Sequence, residues 1–425
     1  MIQSPRGTRD FLPDELEKRR FYENRLRHTA RTFGFREVET PIFEDAELFI
    51  LRSGPNVLKE LYAFEDKGGR QIALRPEMTA PVVRMFVNNM SNEPKPIKVF
   101  YFGQCFRYER PQSGRYREFF QFGAEIIGSA TPETDAEAIA LAYAMIGQIG
   151  VKNYRIRIGH IGVLRQRIAD AGVPAERTAE VLQKLDKKLY DEARPLMEDM
   201  GVKVEDIDDI FSLTETVGGV EVLDRVPGEA GDWLRQVVAY LKVMGVEDLE
   251  IDLGVVRGLD YYTGMVFEAE APALGAEKQI CGGGSYTLSE LFGGEKVFST
   301  GFAIGFDRIL LALEKEGSSY DPEGLRGAGH RGHEGQSRRG HSHAEGLRRL
   351  RRHRHHGQED GQGAEVRVVG QGKVRRHRGR EGDGAGLRHP QGHVHGGADP
   401  CEGGGALRED QRLSRSCIGD GPNHY

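Results

Sequence analysis

The stretch FRYERPQSGRYREFFQFGAE, residues 106–125, sets arginine, glutamate and aromatic side chains at alternating positions. Side chains of an extended strand alternate between its two faces. Arg115, Arg117, Phe119, Gln121 and Glu125 then share one face, and Arg107 and Glu109 share a face of the preceding strand. Such a face is poor core material. It suits a ligand that carries phosphate and amine together. Guanidinium groups clamp phosphate oxygens through paired hydrogen bonds, and a carboxylate accepts from an ammonium or an adenine amino group. The plainer alternative is a solvated, salt-bridged hairpin, whose surface ion pairs stabilise little.

Four other segments carry comparable chemistry. LRPEMTAPVVR places Glu77 and Thr79 after an arginine and a proline. VVRGLDYYTGMVFE places Arg257, Tyr261 and Tyr262 in a glycine-flanked loop between two strands. ICGGGSYTLSELFGG reads as a glycine-rich turn that lets backbone approach a ligand closely. GFAIGFDRILLAL puts Arg308 in the first turn of an otherwise apolar helix, aimed back toward a pocket. Each also has a dull explanation as a turn, a hairpin or a helix cap.

The elements that must position these residues follow from periodicity. DELEKRRFYENRLRHTARTFGF has the period of an amphipathic helix ending near Gly34. FREVETPIFEDAELF predicts a strand broken at Pro41 and then a helix. IKVFYFGQCFRYER and RYREFFQFGAEIIG predict two strands around the loop PQSG. TDAEAIALAYAMIGQIG predicts an alanine-rich helix. Residues 166–244 read as a charged, mostly helical insertion between a first part of the core, 1–165, and a second, 245–318. Strands return at LEIDLGVV and MVFEAEA, and GFAIGFDRILLALEKEG runs from strand into helix.

Composition narrows the class. The chain has 425 residues and a net charge of −6. Residues 321–425 carry a surplus of five positive charges, so the body is acidic, and any nucleic-acid contact must use local basic patches. There is no apolar run long enough to span a bilayer and no signal-peptide core. Cys105, Cys281, Cys401 and Cys417 form no C-x-x-C pair. A zinc site or disulfide framework is therefore not indicated, and a cytoplasmic location with reduced thiols is expected.

Taken together the segments resemble the class II aminoacyl-tRNA synthetases, and among them the histidyl-tRNA synthetase family. GFREVETPIFEDAELF resembles the dimer-forming motif 1, FRYERPQSGRYREFFQFGAE motif 2 and GFAIGFDRILLAL motif 3. RGLDYYTGMVFE and CGGGSYTLSELFGG resemble two segments peculiar to the histidine enzymes, and PRGTRDFLP resembles their N-terminal signature. Ser285 and Thr287 depart from the family's usual arginine and aspartate. The resemblance implies an α+β fold, an antiparallel sheet flanked by helices, with a helical insertion. It implies histidine activation by ATP with Mg2+, transfer to tRNA(His), and a homodimer. By motif, Arg107 would hold the α-phosphate, Glu109 the adenine amino group, Arg115 the outer phosphates, and Arg308 the adenine face and γ-phosphate side. Arg257 would sit at the α-phosphate and the histidine carboxylate. Glu77, Thr79, Gln121 and Glu125 would bind the substrate's amino group and imidazole, with Tyr261 and Tyr262 closing the pocket. Arg110 and Gln112 match positions that meet the tRNA acceptor end. A non-catalytic regulatory paralogue of histidine biosynthesis is the competing reading. It has no need of the full arginine set or of the loop RPQSGR.

Residues 319–425 do not fit the family's α/β anticodon-binding domain. Residues 321–425 hold no Phe or Trp, one Ile and one Tyr, and 12 of the 14 histidines. So little apolar surface predicts disorder. A reading-frame error is one explanation. Read one base later, HHGQED permits IMGRK, QGKVRRHRG permits a run ending in ARYAVIVG, and HPQGHVHGGAD permits TLRDMSTGEQ. All three resemble anticodon-domain segments, in the expected order. A genuine Arg/Gly/His-rich tail that binds RNA by charge, or metal through RHRHH, is the alternative.

Overall fold

Alternating burial in the predicted hairpin is the backbone of the architecture. The computed structural model describes residues 2–110, 114–246, 249–254, 261–318 and 320. Helix α1 (Pro13–Thr32) starts with proline at its first position and acids in its first turn, both favoured there. It buries Tyr22, Leu26 and Ala30, spaced four apart on one stripe. Short strands β1 (Arg36–Glu37) and β2 (Phe43–Asp45) flank Pro41 as expected, and Asp45 caps helix α2 (Ala46–Ser53). Strands β3 (Ala63–Glu65) and β4 (Gln71–Leu74) pair with β2 into a small antiparallel sheet, order β2-β4-β3. Helix α3 (Thr79–Asn89) follows.

Strands β5 (Ile97–Phe106) and β6 (Glu118–Ile127) form the long hairpin. Phe100 on β5, with Phe122, Ala124 and Ile126 on β6, faces one apolar cluster, while Val99, Tyr101, Cys105 and Ile127 face a second cluster with Met78, Val82 and Phe86. That two-residue period separates a face packed on helix α4 (Pro132–Ile149) from a face that α3 covers at one end and that carries Gln121 and Glu125. Helix α4 is capped by Thr131 and closed by left-handed Gly150.

The chain continues through β7 (Arg155–His160), α5 (Ile161–Asp170), α6 (Thr178–Asp186), α7 (Tyr190–Asp199), α8 (Val204–Thr214), β8 (Val217–Gly218), α9 (Glu229–Val243) and β9 (Leu249–Asp252). It closes with β10 (Tyr262–Glu270), β11 (Gln279–Tyr286), β12 (Ser299–Gly305) and α10 (Phe306–Lys315). Among the described residues nine strands make one sheet, order β1-β5-β6-β12-β11-β10-β7-β9-β8. The β1–β5 and β7–β9 pairs are parallel and the rest antiparallel. The helical segment 166–244 lends β8 to the sheet edge and shares the main apolar cluster, through Val181, Ile207 and Val237, with α1 and α4.

Two sequence expectations change. The segment read as a glycine-rich turn is strand β11, with Gly282, Gly283 and Gly284 inside it. A side chain at Gly283 would strike the Gly301 carbonyl, Phe267 and Phe302, so the glycines permit close strand and side-chain packing rather than a reversal. The second hairpin strand starts at Glu118, later than the alternation assumed. Arg115 and Arg117 therefore precede the strand, and Arg117 ties the two limbs together by donating from Nε to the Glu109 carbonyl at 3.1 Å. Arg257 and Gln112, and residues 321–425 with the expected disorder, lie outside the described residues.

Candidate active site

Arg107, Glu109, Arg115, Gln121, Tyr261, Tyr262 and Arg308 line one cleft of about 380 Å³. Gly282, Gly283 and Gly305 leave bare backbone in its lining. Gln121 lies in register between Gly103 on β5 and Gly305 on β12, so neither neighbour shields it. Its amide oxygen accepts from the Cys105 thiol at 3.3 Å. Burial pushes that thiol up to about 12, so it stays protonated and donating.

Arg107 donates from Nε to the Pro76 carbonyl at 2.9 Å, which fixes the plane of its guanidinium. Its Nη1 lies 3.9 Å from one Glu109 carboxylate oxygen, and Arg115 Nη1 lies 3.7 Å from the other. These pairs are long and partly exposed, so they cost little to rearrange when a stronger anion arrives. A triphosphate is such an anion. The stem of Arg308 folds over Gly305 at the start of α10.

Glu125, Glu77 and Thr79 do not line this cleft; they stand behind it. Glu125 is fully buried and accepts from Tyr101 at 3.0 Å and from Tyr286 at 2.6 Å. Burial pushes its carboxyl up to about 7, against the opposing hydrogen bonds from Tyr286, Tyr101 and Thr79. Gly123 and Gly301 make this possible: a side chain at Gly123 would overlap the Tyr101 ring, and one at Gly301 would overlap the Glu125 carboxylate. Glu77 accepts from the Thr79 and Ala80 N–H groups at 2.6 Å and 3.2 Å, so it caps α3. The Thr79 hydroxyl lies 3.3 Å from the Tyr101 hydroxyl. Arg110 is exposed, beyond the cleft.

Three contributors were not read from the sequence. Tyr101 and Tyr286 sit on strands where burial looks like simple core, and only the fold brings both to Glu125. Arg52, at the end of α2, looks like a surface helix residue. It lines the cleft, with its guanidinium 4.5 Å from the Tyr261 ring centre and 3.4 Å from Glu77. Ser285 finds a local role, donating to the buried Asp135 carboxylate at 2.8 Å.

A hairpin whose two limbs bring arginines to a cleft on a mostly antiparallel sheet, closed by a strand that runs directly into an arginine-bearing helix, defines the class II aminoacyl-tRNA synthetase core. Comparison with known proteins narrows the class. Residues 7–309 match the family model described as histidyl-tRNA synthetase. Histidine–tRNA ligase of Archaeoglobus fulgidus is 50% identical over 319 residues, 74% of this chain and 77% of the relative. That of Methanosarcina acetivorans is 47% identical over 315 residues, 73% and 75% of the two chains. The apo histidyl-tRNA synthetase of S. aureus superposes with a TM-score of 0.54 at 32% identity, covering 76% of this chain and 73% of that one. A Bacillus halodurans structure described as an ATP phosphoribosyltransferase regulatory subunit/histidyl-tRNA synthetase gives a TM-score of 0.67 at 26% identity, covering 74% and 83%. The chain belongs to the histidyl-tRNA synthetase family.

Proposed function

We propose that the chain is a histidine–tRNA ligase. In the first step a histidine carboxylate oxygen attacks the α-phosphorus of ATP. The bond to the bridging oxygen breaks, and pyrophosphate leaves. In the second, the terminal ribose hydroxyl of tRNA(His) attacks the acyl carbon and AMP leaves. The observation that carries this is the convergence of Arg107, Arg115 and Arg308 with Gln121, Tyr261 and Tyr262 on one cleft. In-line phosphoryl displacement needs alignment and fixed positive charge more than acid–base chemistry. Arg107, held by Pro76, supplies charge at the α-phosphate. Arg115 takes the outer phosphates, Glu109 the adenine amino group, and Arg308 the adenine face. Gln121 presents its NH2, the oxygen being occupied by Cys105. Tyr261 and Tyr262 exclude water around the imidazole. Glu125, Glu77 and Thr79 act on the amino acid from the layer behind, Arg257 at the carboxylate, and Arg110 with Gln112 at the tRNA acceptor end.

Among the described residues no three His, Cys, Asp or Glu gather as a metal cage. Magnesium binds through substrate phosphates and water with one or two carboxylates. An ion carried in on ATP would meet the carboxylates that line the cleft, Glu109, Glu268 and Asp307.

Dimerisation is supported by exposed apolar side chains around the small sheet: Ile42, Phe43, Leu51, Leu58 and Phe64. Grouped exposed hydrophobics mark contact surfaces, and sedimentation equilibrium giving a monomer at micromolar concentration would remove this part. A cytoplasmic location accords with the reduced cysteines Cys105 and Cys281. No helix among the described residues is long and apolar enough to cross a membrane.

The test of the function is histidine-dependent ATP–pyrophosphate exchange, followed by attachment of labelled histidine to tRNA(His). Exchange with no amino-acid preference, or none, overturns the assignment. Exchange without tRNA charging restricts it to the first step. The regulatory-subunit reading is less supported, since the arginine set of the cleft serves no purpose in a protein that only senses histidine.

A further inference from the structure

The N-terminal signature PRGTRDF is not used by the chemistry above, yet it touches both walls of the cleft. Thr8 closes a turn on the Pro5 carbonyl through its N–H at 3.0 Å and its hydroxyl at 2.8 Å. Gly7 takes a positive φ of 89°, a conformation natural to glycine. Its carbonyl accepts from the Arg117 N–H at 2.9 Å, on the returning limb of the hairpin. The Arg9 guanidinium lies 3.5 Å from the Tyr116 ring centre on that same limb. Its Nη2 donates to Asp307 at 2.5 Å, in the first turn of α10 and next to Arg308. Asp307 also accepts from the Phe120 N–H at 2.8 Å. Tyr116, Asp307, Arg115 and Arg308 all line the cleft.

The charge on Asp307 does not require Arg9. Arg19 donates to the same oxygen at 2.9 Å and is buried, packed 4.1 Å from the Phe11 ring centre and 4.9 Å from that of Phe120. Arg19 therefore compensates the carboxylate within the core. Arg9 keeps 28% of its side chain accessible at the rim, and what it adds is the link from Asp307 to Tyr116.

We propose that residues 5–11 form a clamp holding the hairpin's returning limb against the start of α10, with Arg9 as the positioning residue that sets Arg115 and Arg308 for ATP. The clamp does not reach the histidine side, where Gln121, Glu125 and Tyr261 are held by strands and by Arg52. This rests on the reading of the cleft as an ATP site.

Titration calorimetry of the full chain with ATP and, separately, with histidine tests it. Arg9→Ala and Tyr116→Ala should each weaken ATP by about tenfold, as expected for loss of a stacked, ion-paired guanidinium. The double variant should be no worse than Arg9→Ala alone, because Tyr116 acts through its contact with Arg9. Histidine affinity and the thermal midpoint should hold. Arg9→Lys keeps the charge on Asp307 and loses the flat stack, so a smaller loss of about threefold is expected. It carries the test should Arg9→Ala not fold. Unchanged ATP affinity, equal weakening of both ligands, or additive losses in the double variant overturns the clamp. A wild-type chain that binds no ATP overturns the site reading and the clamp with it, whereas a wild type that binds while the variants bind equally overturns the clamp alone.

Discussion

Tyr286 donates to Glu125 Oε2 at 2.6 Å across the intervening strand β12, while Tyr101 donates to Oε1 at 3.0 Å from the other side. A buried carboxylate is thereby held between two phenols with neither oxygen left bare. Burial still dominates and places its titration at about 7. Between about 4.5 and 7 the folded chain holds a proton on Glu125 that the unfolded chain releases, so this group's contribution to stability falls as pH rises through that window. Glu125→Gln removes the titration. Relative to wild type, the variant should gain stability from pH 5 to pH 8 by on the order of 2–3 kcal/mol, read by urea denaturation at each pH. A difference that stays flat with pH contradicts the burial argument.

The same substitution separates the two ligands. On the proposed reading Glu125 serves histidine from behind the cleft, through Tyr101 and Tyr286, and touches no residue assigned to ATP, so Glu125→Gln should raise KM for histidine by about 100-fold or more, the scale of a lost charge-assisted hydrogen bond, and leave KM for ATP near its wild-type value. Equal losses for both substrates in pyrophosphate exchange would remove Glu125 from histidine recognition.

By motif, the family resemblance assigns Arg257 the role of a cation between the histidine carboxylate and the α-phosphate. Arg257→Ala should slow adenylate formation by about 100-fold or more, as for removal of one preorganised transition-state donor, with a smaller effect on ground-state affinities. Near-normal exchange rates for this variant would assign the charge elsewhere.

Much of the architecture was legible in local pattern. The i, i+4 stripe of α1, the capped alanine-rich α4, the break at Pro41 and the strand-to-helix run of β12 and α10 all carry their signal within a dozen residues. The glycines of β11 misled for a physical reason. Glycine marks both a reversal and a strand whose neighbours leave no room for side chains, and only the partners Gly301, Phe267 and Phe302 distinguish the two. Alternation puts Gln121 and Glu125 on one face of β6 but does not reach Arg115 and Arg117, which precede the strand: Arg117 is held by the Gly7 and Glu109 carbonyls, and Arg115 lies beside the Glu109 carboxylate. Tyr101, Tyr286 and Arg52 were invisible because each acts on a residue distant in the chain: Glu125 for the tyrosines, Tyr261 for Arg52.

The family model stops at residue 309, and residues 321–425 lack the apolar content of a folded domain. A proposed shift of frame between the codons for Gly317 and His330, downstream of the matched residues, would explain that low apolar content and the permitted segments IMGRK, ARYAVIVG and TLRDMSTGEQ. Resequencing the gene there should reveal one base gained or lost. A continuous frame matching the printed chain defeats the explanation and makes the basic tail a genuine feature.

Arg52 joins Tyr261 in the cleft lining to Glu77, the carboxylate that caps α3. Its guanidinium faces Tyr261 at 4.5 Å and Glu77 at 3.4 Å, and its Nε has no hydrogen-bond partner among the described residues. Arg52→Ala would leave Glu77 a buried carboxylate without its cation and Tyr261 without its stacking surface. Removing one member of a buried ion pair costs on the order of 3–5 kcal/mol, and the 3.4 Å separation argues for the lower end, about 3 kcal/mol. KM for histidine should rise by about tenfold through the displaced Tyr261 while KM for ATP holds. Arg52→Lys restores the charge beside Glu77 but not the planar face on Tyr261. It should therefore recover most of the stability and little of the histidine affinity. A lysine variant that restores both equally would make Arg52 a charge partner only, with no part in shaping the pocket.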